Sequence, residues 1–167
     1  FNGTSTTYVT PSIDFTGTDK MTVWAGVGTD ISGATGYLLN HNFTGANSFR
    51  LGVPAPAGTI NSVVAENSPS FVSISKSGLA GNLRSVISAS HRSGEHLVRL
   101  DGVLVSSETN ATTGPYGGNS SLYIGVLGTG SSFFNGKAYS LIVRGAQSSL
   151  SQIEAVENLI RQKMRLP

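Results

Sequence analysis

Three histidines, nine carboxylates, one tryptophan and five tyrosines are among the groups with which this 167-residue chain could do chemistry, and it has no cysteine. A disulfide framework, a thiolate metal site and a cysteine nucleophile are therefore excluded. The tightest grouping is SHRSGEHL, in which His91 and His96 flank Arg92 and Glu95 about Ser93-Gly94. A His/Glu/His set can ligate zinc, but zinc sites need several convergent ligands held by further partners. This spacing matches no metal motif, so the pair reads as two exposed histidines beside a turn. No metal and no cofactor are expected.

The carboxylates are scattered: Asp14, Asp19, Asp30, Glu66, Glu95, Asp101, Glu108, Glu154 and Glu157. Glycoside hydrolysis needs two of them facing one bond. Asp101 is better explained by a turn, and Glu154 and Glu157 by a helix. No Gly-x-Ser-x-Gly elbow supports a serine nucleophile. No catalytic residue is expected, and the chemistry that remains is non-covalent: an aromatic ring to stack on a ligand, with amides and charges to read its polar groups. The candidates are Trp24, Asn40, His41, Arg50, Tyr116 and Asn119.

Those residues must be positioned by short strands. Alternating segments recur between Gly, Asn, Pro and Asp signals, the pattern of an antiparallel all-β domain. Met21 to Val27 places Met21, Val23, Ala25 and Val27 on one face and Trp24 on the other. Trp24 is then either a stacking platform or, if that second face is also covered, part of a core. Tyr37 to Asn40 is a second strand, so Asn40 and His41 stand where it runs into the loop NHNFTGANS. Ser48 to Val53 puts Phe49, Leu51 and Val53 inward and Arg50 outward, and ends at Pro54 and Pro56. Strands follow at Ser62 to Ala65, Phe71 to Ser75 and Arg84 to Ser90. EHLVRLDGVLVSSE (95–108) is a hairpin about Asp101-Gly102, a pair that tolerates the positive φ of a type I′ turn. A polar loop, 109–120, carries Tyr116 and Asn119, and recognition residues concentrate in such loops. SLYIGVLG (121–128) and GKAYSLIVRG (136–145) are the last strands.

The final element is a helix. Ser151 with Glu154 forms a capping box, Leu150 staples against Ala155, and Ile153, Val156, Leu159, Ile160 and Met164 make one apolar face. That face covers a sheet, and Arg161, Lys163 and Arg165 suit the negative pole of the helix dipole. No linker or long-period repeat divides residues 1–167, which read as a single domain.

Eleven basic against nine acidic side chains give a net charge of +2, without the clustered Lys and Arg of a nucleic-acid groove. No apolar run approaches the roughly 20 residues that span a bilayer, so membrane insertion is not expected. No export leader is read, and the absence of cysteine favours folding in a reducing cytoplasm. A start at Phe1 rather than Met suggests a piece of a longer protein.

Three motifs in order resemble the laminin-G-like, or concanavalin A-like lectin/glucanase, jelly-roll superfamily. FNGTSTTYV is similar to its first strand, HLVRLDGVLV to its central hairpin, and LYIG with FFNGKAYSLIVRG and a capped helix to its closing section. The resemblance covers nearly the whole chain and implies an antiparallel jelly-roll β-sandwich of two sheets with one C-terminal amphipathic helix. Within that superfamily, glycosidases carry Glu-x-Asp-x-(x)-Glu on one strand, and this chain has no such cluster. The opening stretch is therefore read as a fold marker, with Phe1 and Tyr8 anchoring a first strand that closes against GKAYSLIVRG, and not as a binding motif. The closing helix, the Ser/Thr/Gly richness and the missing cysteines look most like versions in bacteriophage tail fibres and tailspikes. That resemblance implies a carbohydrate-binding module for a bacterial surface polysaccharide, carried in the virion as a homotrimer through its parent protein. The alternative it implies is a structural or assembly module.

Overall fold

The computed structural model describes residues 1–41, 48–54, 57–65, 71–92, 94–109, 116, 119–128 and 130–167. The expected loops over 42–47 and 110–115 lie outside them, as do the side chains of residues 64, 65, 71 and 119.

Among the described residues eleven strands precede one helix: β1 (Tyr8–Asp14), β2 (Met21–Asp30), β3 (Tyr37–His41), β4 (Ser48–Gly52), β5 (Ile60–Ala65), β6 (Phe71–Lys76), β7 (Asn82–Arg92), β8 (Glu95–Leu100), β9 (Val103–Glu108), β10 (Asn119–Ile124), β11 (Lys137–Arg144) and α1 (Leu150–Met164). They form a six-stranded sheet, β1-β10-β3-β4-β5-β6, and a five-stranded sheet, β11-β2-β7-β8-β9. All pairings are antiparallel. The jelly-roll sandwich expected from the sequence is thus the fold.

Alternation decides which side chains meet between the sheets. Met21, Val23, Ala25 and Val27 of β2, Ile87 and Ala89 of β7, and Val98 of β8 form one inner face. Leu39, Phe49, Leu51, Ile60, Ile74 and Leu122 form the facing one. The hairpin β8–β9 turns at Asp101 (φ 50) and Gly102 (φ 86), the two positive φ values of a type I′ turn.

The five-stranded sheet is covered on its outer side too. α1 lays Ile153, Ile160 and Met164 on Trp24 and Val86. It comes so near β2 that a Cβ on Gly26 would stand 2.5 Å from Met164 Sδ and 2.7 Å from Ile160 Cγ2, so the helix seat requires glycine there. Beneath the helix Glu157 meets Arg99 Nε at 3.0 Å and accepts from Ser88 Oγ at 2.6 Å. Arg99 also donates to the Gly102 carbonyl, and Arg161 to that of Asp101, so the helix is bolted to the β8–β9 turn.

Three expectations at the chain ends are corrected. The helix is capped by Ser149 with Gln152, not by Ser151 with Glu154: Gln152 N donates to Ser149 Oγ while Ser149 N donates to Gln152 Oε1. Leu150 is consequently the first helical residue and 57% exposed, and Leu159, assigned to the apolar face, is 61% exposed. Finally, β1 pairs with β10 rather than β11, although Phe1 N and the Gly136 carbonyl, with Gly136 N and the Phe1 carbonyl, do join the first residues to the approach to β11.

Candidate functional site

The six sequence candidates separate. Trp24 lies under α1 with 2% exposure, because the outer face of its sheet is the helix seat; it is core and can stack on no ligand. Tyr116 is not a solvent-facing loop residue: it is 1% exposed, and its hydroxyl meets His91 Nδ1 inside the sandwich. The peptide N–H of Tyr116 is fixed by the Thr18 carbonyl at 2.9 Å, which turns the ring inward. Asn119 opens β10, with its side chain outside the described residues. His41 and Asn40 are neighbours in sequence but opposed by the pleat. His41 faces inward across from Phe49 and edge-on to Phe15, ring centroids 5.1 Å apart.

Asn40 and Arg50 do come together. They are direct cross-strand partners on the outer face of the six-stranded sheet, and the row continues to Tyr123 and Val9 on one side and to Val63 on the other. Adjacent strands lie about 4.8 Å apart, so Tyr123, Asn40 and Arg50 occupy roughly 10 Å of one rung. Asn40 is fully buried, yet neither Oδ1 nor Nδ2 has a hydrogen-bond partner, and the same holds for the Ser48 hydroxyl at the end of β4. A buried amide or hydroxyl left without a partner costs about 1–3 kcal/mol. The sheet carries that cost on the side facing away from the core.

At the β10 end of this row is a cavity of about 330 Å³ lined by Thr4, Ser5, Thr7, Val9, Tyr123, Val126, Gly128, Gly130 and Phe133. Its wall is built by the opening residues. Asn2 Oδ1 accepts from the backbone N–H groups of Thr4, Ser5 and Thr6 at 3.0–3.1 Å, curling that segment over β10. The Phe1 ring pins the curl, edge-on to Tyr8 and Phe134 at 5.8 and 5.5 Å. Two aromatic rings, three hydroxyls and small glycine surfaces make a mostly apolar recess with a few polar groups, and no carboxylate among the described residues lines it. The sequence analysis reads FNGTSTTYV as a fold marker and does not single out Tyr123, whereas Thr4, Ser5, Thr7 and Tyr123 line this cavity. The signal for Tyr123 was present: in LYIG, Leu122 inward sends Tyr123 outward.

A second cleft, of about 440 Å³, opens where α1 begins, between Arg92, Glu95, Leu104, Gln147 and Leu150. Its polar groups are already engaged with one another: Arg92 meets Glu95 at 3.1 Å, Gln147 donates to Glu95 at 3.3 Å, and Arg99 is held by Glu157. Size alone favours this cleft. Its two aromatic rings, with the unsatisfied Asn40 amide next to Tyr123 in the same rung though outside the lining, favour the smaller cavity.

The histidines are also not where the sequence put them. His91 and His96 were expected to be exposed beside a turn, but they are cross-strand partners on the inner face, each fully buried. Burial pushes His91 down to about 4, with nearby Asp19 opposing, and His96 down to about 3, with His91 adding to the fall. His41 is lowered by burial as well. Burial, with Asp19 adding, raises the Tyr116 hydroxyl far above the usual phenol range. Among the described residues no group of three or more His, Cys, Asp or Glu is placed to hold a metal ion.

No family model matches the chain, and no curated protein matches it. Solved structures do. The binding domain of botulinum neurotoxin DC, solved in complex with SialylT, superposes with a TM-score of 0.73 at 9% identity over 95% of this chain. This chain spans only 41% of that one. A heptameric SAP-like pentraxin from Limulus polyphemus gives 0.64 at 17% identity, covering 84% of this chain and 70% of its own. The CBM40 of a Ruminococcus gnavus IT-sialidase, bound to alpha2,6 sialyllactose, gives 0.62 at 13% identity and 84% coverage of both chains. At such identities the likeness is one of fold, the concanavalin A-like and laminin-G-like jelly roll.

Proposed function

We propose that this chain is a non-enzymatic glycan-binding module that seats a sugar on the outer face of its six-stranded sheet. The observation that carries the reading is the cavity with Tyr123 and Phe133 in its lining, beside the unsatisfied Asn40 amide. A sugar presents apolar C–H patches for an aromatic face and hydroxyls for side chains such as Thr4, Ser5 and Thr7. Two of the similar structures, the botulinum neurotoxin DC binding domain with SialylT and the CBM40 with alpha2,6 sialyllactose, are ligand complexes, which supports a glycan as the class of ligand. The absence of cysteine and the Ser/Thr/Gly-rich composition support a further step: a bacteriophage tail fibre or tailspike, presenting the domain as a homotrimer to a bacterial surface polysaccharide. Weak single sites would then gain strength from effective concentration.

The test is a glycan array followed by titration of host polysaccharide against the oligomeric parent protein. Binding that falls about 10- to 30-fold in Tyr123→Ala, a loss of about 1.4–2 kcal/mol, is the expected result. Silence in both assays overturns the reading. The alternative, an assembly module, is favoured by a different observation: Val103, Leu104 and Leu150 are 63%, 50% and 57% exposed, the last two lining the second cleft. It requires that deleting the domain harms assembly while host binding survives.

A further inference from the structure

All three histidines of the chain are buried between the sheets, and four of their six ring nitrogens lack a hydrogen-bond partner: both of His41, Nε2 of His91 and Nδ1 of His96. The two nitrogens that are engaged each tie together parts of the chain that are remote in sequence. His96 Nε2 meets Ser62 Oγ at 2.9 Å, joining β8 of one sheet to β5 of the other. His91 Nδ1 meets the Tyr116 hydroxyl, holding that ring against β7. The two rings stand edge-on to each other with centroids 5.5 Å apart.

We propose that His91 and His96 form an acid-operated latch at this end of the sandwich, closed while both rings are neutral and opened when they take up protons. A neutral imidazole can be buried with one nitrogen unpaired at modest cost, whereas an imidazolium there needs a counter-charge and donates from both nitrogens. Two imidazolium rings at this separation also repel each other.

Among the described residues the carboxylates nearest the two rings are few: Asp19 acts on His91, and Glu108 is the cross-strand partner of His96. His91 faces His96, Tyr116 and, across β2, Met21; the carboxylate acting on it is Asp19, which lies 3.8 Å from its own Lys20 cation. His96 faces Ser62 across the core and Glu108 across β9. Arg92 and Glu95, at the turn between the two strands, pair with each other. His41 faces Phe15, Phe49 and Leu122, with no charge among them.

The sign of the effect follows from linkage. Both rings have folded-state pKa values lowered from 6.5, to about 4 and about 3, so the opened state binds more protons. Stability is therefore complete above about pH 6.5 and is lost as pH falls through the window down to about 4. Two protons linked to one opening raise its equilibrium constant about 100-fold per pH unit inside that window.

Hydrogen exchange on the full chain, expressed as protection relative to intrinsic rates, reads this directly. Between pH 6.5 and 4.5 the amides of His91, His96 and Tyr116 are expected to lose protection with that two-proton slope, while amides of β2 and α1 around Trp24 and Ile160 hold theirs. His91→Gln should leave a slope of about tenfold per pH unit, and the double variant with His96→Gln almost none. Uniform loss across the molecule, or an unchanged slope in the variants, overturns the latch. If the double variant does not fold, NMR titration of the wild-type imidazoles decides: ordinary values near 6.5 for both rings in the folded protein overturn it, and values below 5 support it.

Discussion

The two sheets present outer faces of opposite kind. Under the helix on the five-stranded sheet the buried charges and hydroxyl are matched, while Trp24 Nε1 is left without a partner: Arg99, 7% exposed, donates to Glu157, Ser88 does the same, and the Asp101-Gly102 carbonyls accept from Arg161 and Arg99. On the six-stranded sheet Asn40 and Ser48 are just as buried and unmatched, and Asn40 neighbours Tyr123, which lines a recess with two aromatic rings. A matched network under a helix is a fastening, whereas unmatched groups beside a cavity are what a ligand's hydroxyls can satisfy.

If the first face is a fastening, cutting it should be among the most damaging changes in the molecule. Glu157→Ala leaves the buried Arg99 guanidinium with only the half-exposed Glu154 carboxylate at 3.3 Å and Ser88 Oγ without its acceptor, an expected loss of about 3 kcal/mol in urea unfolding. Replacing Arg99 and Glu157 together by Met and Leu should recover most of it, because the desolvation penalty disappears with the charges. A loss below about 1 kcal/mol in Glu157→Ala would show that the helix is seated by Ile153, Ile160 and Met164 alone.

Trp24→Ala is comparable in size and tests the same contrast from the apolar side. A fully packed tryptophan costs about 3–5 kcal/mol when truncated, and Trp24 is packed against Val86, Ile153, Ile160 and Met164. Glycan binding per folded molecule should be unchanged, since the ring is on the wrong sheet. A loss of binding at full stability would instead restore Trp24 as a ligand platform.

How much of this contrast could be read in the sequence depended on periodicity. Strand β2 shows both of its faces in the alternation of MTVWAGV, and Arg50 and Tyr123 are outward by the same count. Alternation says which face, however, and not what covers it. Whether Trp24 met solvent depended on α1, more than 120 residues later, and the cap of that helix was misplaced by two positions because Ser149 and Ser151 are both capable of capping. The histidines failed for a related reason: SHRSGEHL looks like a polar loop, yet β7 and β8 run to Arg92 and Glu95, so His91 and His96 are the last inward positions of a hairpin. Nothing local marks Asn2 as the residue that curls the opening segment over β10.

The smallest effect on stability is the sharpest test of the comparison. Asn40→Leu removes two unmatched polar atoms from a buried position on a strand whose neighbours are Tyr123 and Arg50. If Asn40 were part of a fastening like Glu157, the change would destabilise the fold. As a group held ready for a ligand it should leave the urea midpoint unchanged or raise it, by up to about 1 kcal/mol, because the desolvation cost of the amide is gone. Affinity for the sugar should meanwhile fall at least about tenfold, because Asn40, with no exposed surface of its own, flanks Tyr123 and meets a ligand hydroxyl only when the recess opens toward it on binding. Stability and binding moving in opposite directions at one residue is the outcome only the ligand-ready arrangement gives; a parallel loss of both would make the outer face of the six-stranded sheet another fastening.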